Sequence, residues 1–174
     1  MPQLLLIALL FFMPAAYADS FSIVNLAKHP DWAPQLATWT YNAWHSYNPD
    51  LSEADELSKI KTRMNTDRIP LTLVLVASGS PVGMANLKLT ADVPGLPQDK
   101  VWVGSFYVEP QYAGGATKLL QAICQQAIKL NVKELWVWES SPNAPAFYLE
   151  HGWKLLNVLP FKGHTITLLK WQAP

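Results

Sequence analysis

The sequence holds a single cysteine, Cys124, so no intramolecular disulfide can form and cysteine usage carries no sign of an oxidising compartment. With no CxxC and no close grouping of His with Cys, a structural zinc has no ligand set, and no metal is expected. Charge is scarce too. Asp, Glu, Lys and Arg make up 15% of the chain and balance to +0, whereas a nucleic-acid reader ordinarily shows a basic excess, so no nucleic-acid partner is expected. The longest apolar run, Leu4 to Met13, is too short to cross a bilayer, and no stable membrane span is expected. Internal repeats and inter-domain linkers are lacking, which excludes arrays and multidomain chains.

What is there suits one domain. The chain has 174 residues, of which 50% are apolar, enough for a sizeable single core and not for a disordered chain. Residues 1–18 stand apart from this domain, which we place at 19–174. The apolar run followed by Pro14-Ala-Ala16-Tyr-Ala18 has the form of a signal-peptide core with an Ala16-x-Ala18 cleavage site, although no Lys or Arg precedes it. The competing reading takes Met13 as the true start.

From Phe21 onward strands and helices alternate. Phe21 to Leu26 reads as a first strand. Asp31 is placed to cap a helix carrying Trp32, Leu36, Trp39, Ala43 and Tyr47 on one face, broken by Asn48-Pro49-Asp50. Ser52 with Asp55 three residues on resembles a capping box for a second helix with Leu57, Ile60 and Met64 on one face. Leu71 to Ala77 and Val82 to Leu89 read as strands joined by a turn at Ser78-Gly79-Ser80. A loop from Asp92 to Lys100 precedes a strand over Val101 to Val108. A helix over Gly114 to Leu130 follows, with Ala116, Leu119, Ile123, Ala127 and Leu130 inward. Then come a strand over Leu135 to Glu139, a short helix over Asn143 to His151, and two closing strands. The fold class is mixed α/β (α+β), with about four helices.

The stretch that carries chemistry is Phe106-Tyr107-Val108-Glu109-Pro110-Gln111-Tyr112-Ala113-Gly114-Gly115-Ala116, a strand running through a glycine turn into a helix. A helix N-terminus presents unsatisfied N–H groups and the positive end of its dipole, which suits a phosphate, and glycines let that backbone approach closely. An ordinary strand-to-helix turn has the same composition, and spacing alone does not separate the two.

Gln111-x-x-Gly114-x-Ala116 resembles the pyrophosphate signature of the GNAT N-acetyltransferase superfamily, in which Gln or Arg is followed by x-x-Gly-x-Gly/Ala. Asn143 to Trp153, with Phe147-Tyr148 and Gly152-Trp153, resembles the superfamily's second motif, and Asp67 to Val74 with Pro81 to Met84 resembles its second and third strands. The likeness runs from Phe21 to Trp171. It differs in one place: Pro110 abuts Gln111, where the family has two intervening residues. Anchoring on the glycines implies a shortened loop without its cationic side chain; anchoring on the proline would put Ala113 at the arginine position.

The resemblance implies a mostly antiparallel sheet splayed between its fourth and fifth strands to admit acetyl-CoA as co-substrate. It also implies acetyl transfer to a small-molecule or peptide amine, with no oligomeric state specified. The backbone of Phe106, Tyr107 and Val108 would pair with the pantetheine, and Gln111, Ala113, Gly114, Gly115 and Ala116 would cradle the pyrophosphate. Asn143 would reach the CoA arm, its plain reading is a helix N-cap, and the two roles are compatible. Tyr148 would protonate the departing thiolate unless it is only a core aromatic. Acetyl-CoA is cytosolic, so we favour a cytoplasmic domain begun at Met13 over an exported one cut after Ala18. The alternative function is a non-catalytic GNAT-like binding module with a degenerate CoA loop.

Other residues carry weaker signals. Glu139 and Glu109 are candidate bases, each set against the reading of a solvated strand end. His45 either lines the acceptor pocket or lies on a helix surface. Cys124 suits core packing better than nucleophilic chemistry. Leu135-Trp136-Val137-Trp138 is apolar on both faces, as a covered central strand would be, rather than a sugar-binding platform.

Overall fold

The computed structural model describes residues 20–174; the apolar N-terminal segment, and both readings of it, lie outside the described residues. The strands are β1 (Ser22–Asn25), β2 (Leu71–Ala77), β3 (Ser80–Lys88), β4 (Trp102–Val108), β5 (Glu134–Glu139), β6 (Lys154–Phe161) and β7 (His164–Gln172). The helices are α1 (Ala33–Trp44), α2 (Glu53–Thr62), α3 (Ala116–Lys129) and α4 (Ala144–Glu150). One sheet takes the order β1-β2-β3-β4-β5-β7-β6, and every neighbouring pair is antiparallel except β4 with β5. Among the described residues no helix is long and apolar enough to cross a membrane.

β2 is buried from end to end because both of its faces are covered. Side chains alternate across a strand, so Leu71, Leu73 and Leu75 pack on one side with Leu119, Leu120 and Ile123 of α3. Val74 and Val76 pack on the other with Leu36 and Ala37 of α1 and Ile60 of α2. The β2–β3 turn holds Ser78 at φ 49° and Gly79 at φ 80°, the left-handed pair that matches the twist of a two-residue hairpin.

A third apolar cluster covers the tryptophan-rich strand. Ala91, Val93 and Leu96 from the loop after β3 pack with Trp102, Ile166 and Leu168, against Trp136 and Trp138. The indole N–H of Trp138 donates to the Ala91 carbonyl at 2.8 Å, and that of Trp102 to Pro97 at 3.1 Å. Under that loop the tryptophans form no exposed platform.

Two local expectations are corrected. Asp31 does not cap α1; it lies in a short 3₁₀ turn (Pro30–Trp32), and Pro34 at the helix start removes a donor that a cap would have served. The first helix also stops at Trp44, and Tyr47 belongs to a separate 3₁₀ turn. The capping box is present as read: Ser52 accepts from the Asp55 N–H, and the Asp55 carboxylate accepts from the Ser52 N–H at 2.8 Å.

The feature that positions the site is the split between β4 and β5. They share a single register pair, Trp102 with Trp136, and the Trp136 N–H donates to the Val101 carbonyl at 2.9 Å. Beyond it the strands diverge. On the other side of β4 the ladder to β3 skips: Gly104 pairs with Asn86 and Tyr107 with Met84, so Ser105 and Phe106 together oppose Ala85. This bulge holds Ser105 at φ 45°, a left-handed conformation uncommon outside glycine that persists where surrounding structure enforces it.

Candidate active site

Two cavities meet at the mouth of the split. The first, about 90 Å³, lies between β4, β5 and the ends of α1 and α2; Thr40, Trp44, Ser105, Phe106, Trp138 and Glu139 are among its walls. That space would hold several water molecules, or the head of a small molecule. The second is a wider groove of about 510 Å³ along the end of β5 and α4, with Ser141, Phe147 and Tyr148 in its wall. Phe106 and Glu139 belong to both, and so sit at the junction.

Tyr148 is 1% exposed, on the inner side of α4. Its ring is held edge-on by Phe106, Phe147 and Trp153, at centroid distances of 6.0, 5.5 and 5.2 Å. Its hydroxyl donates to Glu139 Oε1 at 2.9 Å. Burial, and then the neighbouring Glu139 charge, push the phenol well above its usual value, so it stays a neutral donor through the physiological range. Burial also raises the Glu139 carboxyl, to about 7; the bond from Tyr148 opposes that shift without cancelling it. Glu139 is thus a half-buried group at the junction, unlike the freely solvated strand end of the other reading, with a carboxyl poised to change charge near neutrality.

Glu109 is not drawn into this pair. It accepts from Gln111 Nε2 at 3.0 Å, outside both cavities. His45 misses the first cavity, whose wall is made instead by its neighbours Trp44 and Tyr47; its ring packs on Tyr41 at 4.5 Å. The Cys124 thiol is pushed by burial to about 12, which removes the thiolate a nucleophile needs.

The turn after β4 shows what the shortened loop has become. Pro110–Gly115 form a 3₁₀ turn leading directly into α3, and Tyr112 packs edge-on against Phe21. The two glycines do different work. A Cβ on Gly114 would meet nothing within 4 Å, whereas one on Gly115 would lie 2.6 Å from Leu75 Cδ2. Gly114 therefore faces open space, while Gly115 is required by packing against β2. No side chain caps the first N–H groups of α3, and Gln111, Ala113 and Gly114 are exposed beside them; Ala116 opens the helix. Lys118, one turn in, is engaged by the Phe21 carbonyl.

At the strand, Phe106 presents its ring to the junction, whereas the Tyr107 ring turns away to pack on Trp39 at 5.3 Å. The β4 backbone from Ser105 to Val108 has no strand partner on the β5 side among the described residues. Asn143 stands at the N-cap position of α4, is exposed, and its side chain makes no capping bond. An open strand edge and an unobstructed Gly114 at the head of α3 together suit a pantetheine arm ending in a pyrophosphate.

Sequence reasoning missed the charged wall of the first cavity: Glu56, Lys59, Arg63, Lys88 and Asp92. One signal was readable. Asn86 and Lys88 share the parity of buried Met84 on β3, an unusual place for polar side chains.

Comparison with known proteins agrees with this fold. The model of the acetyltransferase (GNAT) family matches residues 33–153. No curated protein matches the sequence. Among solved structures, a GNAT-family acetyltransferase of Streptococcus pneumoniae superposes with a TM-score of 0.65 at 16% identity, covering 89% of this chain and 100% of that one. A Salmonella typhimurium protein solved with acetyl-CoA gives 0.67 at 18%, covering 88% and 94%. An acetyltransferase of Streptococcus agalactiae gives 0.64 at 15%, covering 88% and 98%. At such identities the likeness is one of fold.

Proposed function

The chain belongs to the acetyltransferase (GNAT) family, and on that premise we propose that it transfers acetyl from acetyl-CoA to a primary amine. The observation that carries this reading is the Glu139–Tyr148 hydrogen bond at the junction of the two cavities, one open to the split strands and the other to an acceptor. Acetyl-CoA would supply an activated thioester; the open β4 edge from Phe106 to Val108, the start of α3 around Gly114, and Asn143 would hold it.

The residues of the chain then divide the proton work. Glu139, ionised above about pH 7, accepts the proton that the amine loses as its nitrogen bonds to the acyl carbon. Tyr148 donates its hydroxyl proton to sulfur as the C–S bond breaks. The 2.9 Å bond returns a proton from Glu139 to the phenolate oxygen, so neither group ends the cycle changed. The bulge at Ser105 turns backbone groups out of the β3 ladder beside the junction, where an N–H could polarise the thioester carbonyl. A non-catalytic binding module would have no use for a carboxyl desolvated at this cost, and nothing in the site favours that alternative.

Thiol release from acetyl-CoA, followed with a chromogenic disulfide against a panel of small amines and peptides, tests the reading. Amine-dependent release that disappears in Glu139→Gln is expected. Tight CoA binding without release for any amine would overturn it.

A further inference from the structure

Arg63 stands out in the acceptor cavity. The wall formed by α2 and the end of β3 carries three cations, Lys59, Arg63 and Lys88, against two carboxylates, Glu56 and Asp92. Two of the cations are paired: Lys59 Nζ lies 3.1 Å from Glu56 Oε1, and Lys88 is joined to Asp92. A Cβ on Gly104 would lie 2.5 Å from Lys88 Cε, so the glycine leaves room for the lysine stem beside β4. Arg63 is the cation left over. Among the described residues its guanidinium has no hydrogen bond or ion pair, although it is half-buried.

Half-burying a guanidinium with no protein partner for its donors carries a partial desolvation cost. Asp92 and Glu56 offset part of that cost through space, without engaging it directly. A planar fork of donors in this position is best satisfied by a carboxylate, which can accept two parallel bonds. The cavity is also polarised: the excess cation is on the α2 wall, the proton-accepting Glu139 is on the β5 wall, and Trp44, Tyr47, Phe106 and Trp138 line the space between. Arg63 is not part of the pyrophosphate cradle, because α2 packs on one face of the sheet and α3 on the other.

Resting on the transferase reading, we propose that the acceptor is a small amino carboxylate, a free amino acid or a close analogue. Its carboxylate is bound by Arg63 and its amine is directed to Glu139. The aromatic walls accommodate an apolar side chain.

The test compares free L-phenylalanine, L-leucine and L-methionine with their carboxamides, by calorimetry in the presence of CoA and by thiol release from acetyl-CoA. The free acids should bind and react at least ~10-fold better than the amides, the size expected for hydrogen bonds to a charged group. Arg63→Gln should abolish that preference, and a thermal melt matching that of the natural protein shows the variant to be folded. Arg63→Lys, keeping the charge without the fork, should restore only part of it. Amides equal to acids in the natural protein, or Arg63→Gln discriminating as before, would overturn the proposal. Carboxylate-selective binding that depends on Arg63, with no acetyl transfer, would instead uphold the pocket assignment and defeat the transferase reading.

Discussion

The hydroxyl of Tyr148 donates a 2.9 Å hydrogen bond to Glu139 Oε1, tying the inner side of α4 to the last residue of β5. Each group shapes the other. Burial first, and then the neighbouring carboxylate, keep the phenol protonated, and the phenol supplies a hydrogen bond that helps Glu139 ionise.

Tyr148→Phe should leave the fold and CoA affinity intact, since the ring and its three aromatic neighbours remain. Turnover should fall by ~100-fold or more where chemistry limits the rate, the lower end for loss of a general acid. The same variant should move the acid limb of the rate profile to higher pH, because Glu139 loses the bond that favours its charge. A change confined to KM would make Tyr148 a binding residue.

Glu139 should govern the pH dependence. Its carboxyl is raised from 4.5 to about 7, and the base form is the active one, so kcat should rise with pH and reach half its plateau near 7. The effect on stability has the opposite sense. Between those two values the folded protein keeps a proton that the unfolded chain has released, so stability falls as pH rises through that window. At ~1.4 kcal/mol per pH unit the loss reaches roughly 3 kcal/mol above neutrality. Glu139→Gln should therefore raise Tm by several degrees at pH 8, change it little at pH 4, and abolish turnover. Calorimetric melts at the two pH values check this.

The two glycines after β4 should separate cleanly. Gly114→Asp should fold normally yet weaken CoA binding, since its side chain enters open space beside the start of α3 and repels phosphate. Gly115→Ala should do the reverse, losing about 1–3 kcal/mol of stability to overpacking against Leu75 and Phe21. Calorimetric CoA titration and thermal melts distinguish the outcomes; unchanged CoA affinity in Gly114→Asp would place the cradle elsewhere.

Ser52 should matter at a distance. Its capping box secures the start of α2, the helix that carries Glu56 and Lys59 and ends beside Arg63. Ser52→Ala should lower stability by about 1 kcal/mol, the usual value of a lost N-cap. Urea unfolding should show a lower midpoint with an unchanged slope.

Much of this protein is determined by local chemistry, and the sequence alone was sufficient for it. The apolar run of β2, the left-handed turn at Ser78-Gly79, the capping box at Ser52 and the amphipathic face of α3 depend on neighbours a few residues apart. The two motifs, around Gln111–Ala116 and Asn143–Trp153, placed Gly114 at the head of α3 and Tyr148 on α4. What the tertiary structure decided are relations between residues far apart in the chain. The two readings of Glu139 were separated only when α4 folded over the end of β5, because desolvation is set by what covers a side chain. Gly114 and Gly115 are equivalent in sequence and opposite in role, since only one of them meets β2. Nothing in the local sequence sets Arg63 apart. Its partnerless state emerged from the pairing of Lys59 with Glu56 and of Lys88 with Asp92, and the charge left over in a cavity is a property of the assembled wall rather than of any residue in it.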